Sequence, residues 1–147
     1  MKRFFIMALA ITVASCGGAD EKTREVYRDP ALSADLPFSS AVVVGDVIYL
    51  SGEIGRAPGT TSVVDGGAGA QTRQIFENYE ATLGKLGAGL EDIVKCTVFL
   101  EDMQDYGAMN QAYAAAFPGD KPARSTMGVD GLALGAAVEI ECLAVKS

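Results

Sequence analysis

"AVVVGDVIYLSGEI" (residues 41–54) is the stretch from which the fold can be read. It holds two β-rich runs, Ala41–Val44 and Val47–Ser51, separated by Gly45-Asp46. A two-residue connection containing glycine between alternating apolar runs is a hairpin signal. The folded part is therefore expected to begin just upstream, near Leu36. Downstream, "GRAPGTTSVVDGGAG" (55–69) is rich in glycine and reads as loop, with a short strand possible at Ser62–Val64.

The apolar period then changes. Ile75, Tyr79, Leu83 and Leu86 recur at helical spacing, with Arg73, Glu77, Glu80 and Lys85 off that stripe, and Gly87 and Gly89 supply a stop. "DIVKCTVFL" (92–100) returns to strand. "DYGAMNQAYAAAF" (105–117) is a second helix with Met109, Tyr113 and Phe117 on one face, ended by Pro118-Gly119. "ARSTMGV" (123–129) and "AAVEIECLAV" (136–145) are two more strands. The order β-β-(β)-α-β-α-β-β describes an α+β domain, one sheet with two helices packed on one face. Glu139 and Glu141 fall on the uncovered face among apolar residues, so a partner copy is expected to cover it. No internal repeat interrupts the pattern.

The chain has 147 residues, 49% of them apolar, and a net charge of −7. One domain with its own core fits that length. No basic tract is present, which argues against a nucleic-acid partner. The absence of histidine excludes a Ser-His-Asp or Cys-His nucleophile and any His-ligated metal. Cys16, Cys96 and Cys142 form no C-x-x-C pair, so no metal site is expected. Cys96 and Cys142 read as small buried core residues, and in an oxidising compartment they could pair.

The start reads as an address. Lys2 and Arg3 precede an apolar run, Phe4 to Ala14, and Val13-Ala14-Ser15-Cys16 follows. A charged start, a short apolar core and small residues describe a secretory signal. About eleven apolar residues fall short of the roughly 20 that span a bilayer. Residues 1–15 are thus expected to be removed, 16–35 to be a flexible tether, and 36–147 to be the domain. The small residues ending in Cys16 resemble a bacterial lipobox, which implies a lipidated Cys16. The expected location is the periplasmic side of the cell envelope, held by the lipid alone. The alternative is an ordinary cleaved signal and a soluble periplasmic protein.

"VIYLSGEI", "IVKCTVFLEDM", "MNQAYAAAF", "PARST" and "VEIECLAV" occur in order at intervals that resemble the RidA family of reactive-intermediate (imine) deaminases. The resemblance covers residues 36–147. Its most specific element is "PARS", with the glutamate of "VEIE" fifteen residues after the arginine. The resemblance implies a chorismate-mutase-like fold with a single mixed sheet, a homotrimer, and sites in clefts between subunits. It implies hydrolysis of 2-imino and enamine acids to 2-oxo acids and ammonia, without a cofactor.

Residue by residue, the resemblance makes Arg124 the carboxylate-binding arginine and Glu139 the water-handling glutamate. Ser51, Gly52, Asn110 and Thr126 become pocket residues. Phe38 stands where the family often has tyrosine, and Thr126 where it often has cysteine. By pattern alone, Arg124 at a strand start is a solvated charge, and Glu139 is the outer face of a strand. The chemistry nonetheless suits the assigned roles. A guanidinium grips a carboxylate through two parallel hydrogen bonds, and a glutamate can take a proton from water. A non-catalytic trimer that binds small carboxylates, and an envelope structural protein with a vestigial cleft, are the competing readings.

Overall fold

A computed structural model describes residues 23–147. The expected signal segment and Cys16 lie outside the described residues. Within them the strands are β1 (Arg24–Tyr27), β2 (Ala41–Val44), β3 (Val47–Leu50), β4 (Glu53–Ile54), β5 (Ile93–Leu100), β6 (Ala123–Gly128) and β7 (Val138–Val145). The helices are α1 (Gly67–Lys85) and α2 (Tyr106–Ala116). One sheet runs β1-β2-β3-β7-β5-β6, with β4 also paired to β7. Every pairing is antiparallel except β5–β6. That parallel pair needs a crossover, and α2 supplies it.

The β2–β3 hairpin closes at Val44↔Val47 around Gly45, whose φ is 60°. That left-handed turn is why glycine stands there. α1 ends where Gly87 turns left-handed at φ 74° and the Ala88 amide donates back to the Leu83 carbonyl. Its buried residues include Ile75, Phe76, Tyr79 and Leu83, the expected stripe with Leu86 only partly covered.

Alternation decides which sheet face those helices cover. On β7, Val138, Ile140, Cys142 and Ala144 are buried, while Glu139, Glu141, Leu143 and Val145 point the other way. On β5, Ile93, Cys96, Val98 and Leu100 are buried. Phe76 of α1 meets Tyr113 and Phe117 edge-on at 5.3 and 5.0 Å between ring centroids, joining both helices over that face. Each fully buried aliphatic or aromatic side chain contributes about 1.5–3 kcal/mol. Cys96 and Cys142 are register partners in this core and are joined by a disulfide. They are core residues, as expected, and they are paired.

Two expectations are corrected. The stretch 16–35 is not tether throughout, because Arg24–Tyr27 adds strand β1 to β2. The following loop is fastened too: the Arg28 guanidinium donates to the Leu36 and Phe38 carbonyls, and the Asp29 amide donates to Ser40 Oγ. The sheet therefore reaches upstream of Leu36 and includes β1. Ser62–Val64 forms no strand; Val63 makes a single bridge to Arg56.

Candidate functional site

The residues singled out in sequence fall into two clusters. The first sits on α2 and β6. Arg124 Nη2 donates to Asn110 Oδ1 at 2.8 Å and to the Tyr106 hydroxyl at 3.0 Å. Its guanidinium lies 4.6 Å from the centroid of the Tyr113 ring and 5.7 Å from that of Tyr106. An aromatic face attracts such a cation. All four contacts are neutral. Among the described residues the ion pair present is Arg56–Glu53, so no carboxylate neutralises Arg124. The helix spacing explains the arrangement: Tyr106, Asn110 and Tyr113 are three or four residues apart and share one face of α2. Burial pushes the Tyr113 hydroxyl up to about 12, with Arg124 pulling the other way. Two residues along β6, Thr126 turns to the same side, and its buried Oγ1 has no partner among the described residues.

The second cluster surrounds Glu139 on β7. A cavity of 530 Å³ is lined by Phe38, Ser51, Gly52, Ile54, Leu134 and Glu139, among others. Phe38 is 48% exposed at its rim. Ser51 Oγ donates to the Ser39 carbonyl at 2.7 Å, which fixes the strand end against the Phe38 loop. Gly52 lies against Glu139: a methyl group built on Gly52 would stand 2.2 Å from Glu139 Oε1. Only a glycine lets the carboxylate lie there. Partial burial raises the Glu139 pKa above its ordinary value, and Glu141 beside it raises it further. A carboxylate so placed is better able to exchange a proton near neutral pH. Below, Glu53 Oε1 accepts from Arg56 Nη2 at 3.0 Å and from Asn78 Nδ2 at 3.2 Å. Burial raises the Glu53 pKa, and Arg56 opposes that shift.

One protomer does not bring the two clusters into one cleft; the expectation was of a cleft between subunits, which a single protomer does not test. Arg124 is the register partner of Cys96, whose side chain belongs to the helix-covered core. Glu139 alternates with the buried Val138 and Ile140 and so lies on the opposite face. Period-two alternation therefore separates the charges across the sheet. Tyr106 and the second role of Tyr113 were not foreseen. The helical spacing with Asn110 was the available signal.

A family model described as "Endoribonuclease L-PSP" matches residues 29–146. The chain belongs to the RidA/RutC family. Its RidA relatives include the mouse protein named "2-iminobutanoate/2-iminopropanoate deaminase", 39% identical over 110 residues, with 75% of this chain and 82% of that protein covered. Another is the Arabidopsis thaliana "Reactive Intermediate Deaminase A, chloroplastic", 36% identical over 130 residues, covering 88% of this chain and 70% of the relative. Among solved RidA-type structures, that of RidA from the Antarctic bacterium Psychrobacter matches with a TM-score of 0.75 at 36% identity. It covers 82% of this chain and 97% of that one. The single mixed sheet with two helices on one face is the arrangement these structures share with this protein.

Proposed function

We propose that the protein hydrolyses small 2-imino acids to 2-oxo acids and ammonia in a homotrimer, with each site built from two protomers. The observation that carries this is Arg124, a cation oriented by Asn110, Tyr106 and Tyr113 and left without an anionic partner among the described residues. A substrate carboxylate is the group such a guanidinium fits. The relatives named as imine deaminases support the reaction class. RNA cleavage, the activity in the family model's description, would need a cationic surface, and this chain has a net charge of −7 and no histidine.

In the reaction, Glu139 takes a proton from water as its oxygen attacks the C=N carbon. The C=N electron pair moves to nitrogen, which takes that proton back from Glu139. In the resulting carbinolamine Glu139 moves the hydroxyl proton to the nitrogen, the C–N bond breaks with its electron pair leaving on ammonia, and the C=O bond forms. Ser51 and Gly52 border the place where the water sits, and Phe38 and Thr126 shape the pocket. No cofactor is required. The trimer supplies what one protomer lacks, by setting the α2–β6 cluster of one copy against the Glu139 cavity of the next. The protein works in the cell envelope, anchored by a lipid on Cys16.

Complementation between two inactive variants tests the shared site. Arg124→Ala and Glu139→Gln should each lose most activity, and Arg124→Lys should recover little. Co-refolded in equal amounts, they should regain about a quarter of wild-type activity. Half the interfaces receive an intact arginine and half of those an intact glutamate. No recovery in mixed trimers confirmed by mass would show that the site is not shared. A wild type that binds 2-oxo acids without turning over imines would leave a carboxylate-binding trimer instead.

A further inference from the structure

On its β3–β4 side the ladder of β7 breaks between Leu143 and Ile140, one residue short of Glu139. β3 holds register with β7 as far as Tyr49↔Leu143, and β4 resumes it at Glu53↔Ile140. From Tyr49 to Glu53 the chain advances four residues, and from Leu143 to Ile140 only three. One residue is extra, so Leu50–Gly52 contains a bulge. Bulges interrupt ladder bonds and leave backbone groups in need of other partners.

Tyr79 of α1 meets that need. It is 3% exposed. Its hydroxyl donates to the Ser51 carbonyl at 2.8 Å and is also within reach of the Ile140 carbonyl, so the two share its proton. Ser51 precedes Gly52, and Ile140 follows Glu139. The phenol therefore ties the backbone on both sides of the Gly52–Glu139 contact. Its ring packs edge-on to Phe76 at 6.3 Å, a task that phenylalanine would perform as well. Only the hydroxyl distinguishes tyrosine here, and it is spent on the bulge.

We propose that Tyr79 is a positioning residue for the Glu139 centre: its hydroxyl holds the Ser51–Gly52 bulge against β7, which keeps Gly52 under the Glu139 carboxylate. Tyr79 lines the back of the bulge and touches no substrate. Its effect on turnover rests on the imine-hydrolysis reading; its effect on the backbone does not.

The test compares Tyr79→Phe with Thr72→Val in the full chain. Thr72 is fully buried on the same helix, and its Oγ1 donates to the Ala68 carbonyl at 2.7 Å, away from the bulge. Both variants lose one buried hydrogen bond. Tyr79→Phe should lower kcat for an imino acid by about tenfold to a hundredfold, because the base is misplaced. Its KM and its affinity for the 2-oxo acid should change less than about threefold, since Arg124 is untouched. Thr72→Val should lower the melting temperature and leave kcat alone. Amide hydrogen exchange gives a second readout: residues 51–54 and 139–141 should exchange faster in Tyr79→Phe than in Thr72→Val. Wild-type kcat in Tyr79→Phe, or unchanged exchange at 51–54, would overturn the proposal. If the wild type hydrolyses no imine, the reaction reading has failed, and the exchange comparison alone decides the role of Tyr79.

Discussion

Gly52→Ala probes the proposed centre with little disturbance elsewhere. The added methyl would stand 2.2 Å from Glu139 Oε1 and 3.1 Å from the Glu139 carboxyl carbon. Carbon and oxygen pack no closer than roughly 3.3 Å, so the carboxylate must retreat by about 1 Å. The obstacle is the end of a flexible side chain, and Gly52 is not among the residues with positive φ. The stability cost should therefore stay under about 1 kcal/mol. A base displaced by about 1 Å can lose a factor of about 100 in rate, or about 2.7 kcal/mol of barrier. The assay is hydrolysis of an imino acid generated in situ, followed as ammonia release, with a thermal melt beside it. Affinity for the 2-oxo acid should hold, because Arg124 is intact. On a Glu139→Gln background Gly52→Ala should cost less than about threefold, since the two changes act on one group. The pH profile supplies a control. Burial and Glu141 raise the Glu139 pKa, so the acid limb of kcat should sit above the ordinary 4.5 and vanish in Glu139→Gln. The reasoning is refuted if Gly52→Ala keeps wild-type kcat while Glu139→Gln loses it, because the contact would then have no bearing on catalysis.

Two other expectations concern the rest of the chain. Cys96 and Cys142 close a loop with a sequence separation of 46 residues, so removing their disulfide should cost about 4 kcal/mol in the chain-entropy account, read as a lower urea midpoint for reduced protein. Equal midpoints for the oxidised and reduced forms would deny the bond a stabilising role. Cys16→Ser should free the protein from membranes or block its processing; continued membrane retention of a normally processed form would count against the lipid anchor.

The elements legible in the sequence are those whose signal is local. Gly45-Asp46 between two β-branched runs, the Ile75-Tyr79-Leu83 stripe and the alternation of β7 each state a period within a few residues. β1 has no such signal. Its residues, Arg24 to Tyr27, include two charges, and only the distant β2 makes them a strand. Ser62–Val64 shows the reverse: the composition suits a strand, but no neighbour offers more than one bridge. At the site, the outward face of Glu139 follows from the alternation of its own strand. The face of Arg124 depends on its register with β5, which no local pattern reveals. The helical stripe marks Tyr79 and Tyr113 as core, which they are, yet says nothing of where a hydroxyl or a ring face points.

That separation of charges bears on why the proposed site belongs to an assembly. A sheet covered on one face cannot bring together two side chains that alternation sends to opposite sides, whatever the rotamers. A second copy can, because β6 is an edge strand and Arg124 stands on it. The uncovered face adds its own reason for association. It carries a trough of 920 Å³ lined by Arg24, Arg28, Tyr49, Lys95, Glu141 and Leu143, with Tyr49 48% exposed. Tyr49 and Leu143 would bury apolar area against another copy, while the three cations and Glu141 would set its orientation. On this reading the same contact that covers the open face also delivers an arginine to a glutamate. Folding of a protomer and completion of its site are then separate events, and a stable monomer held apart from its copies would be folded and inactive.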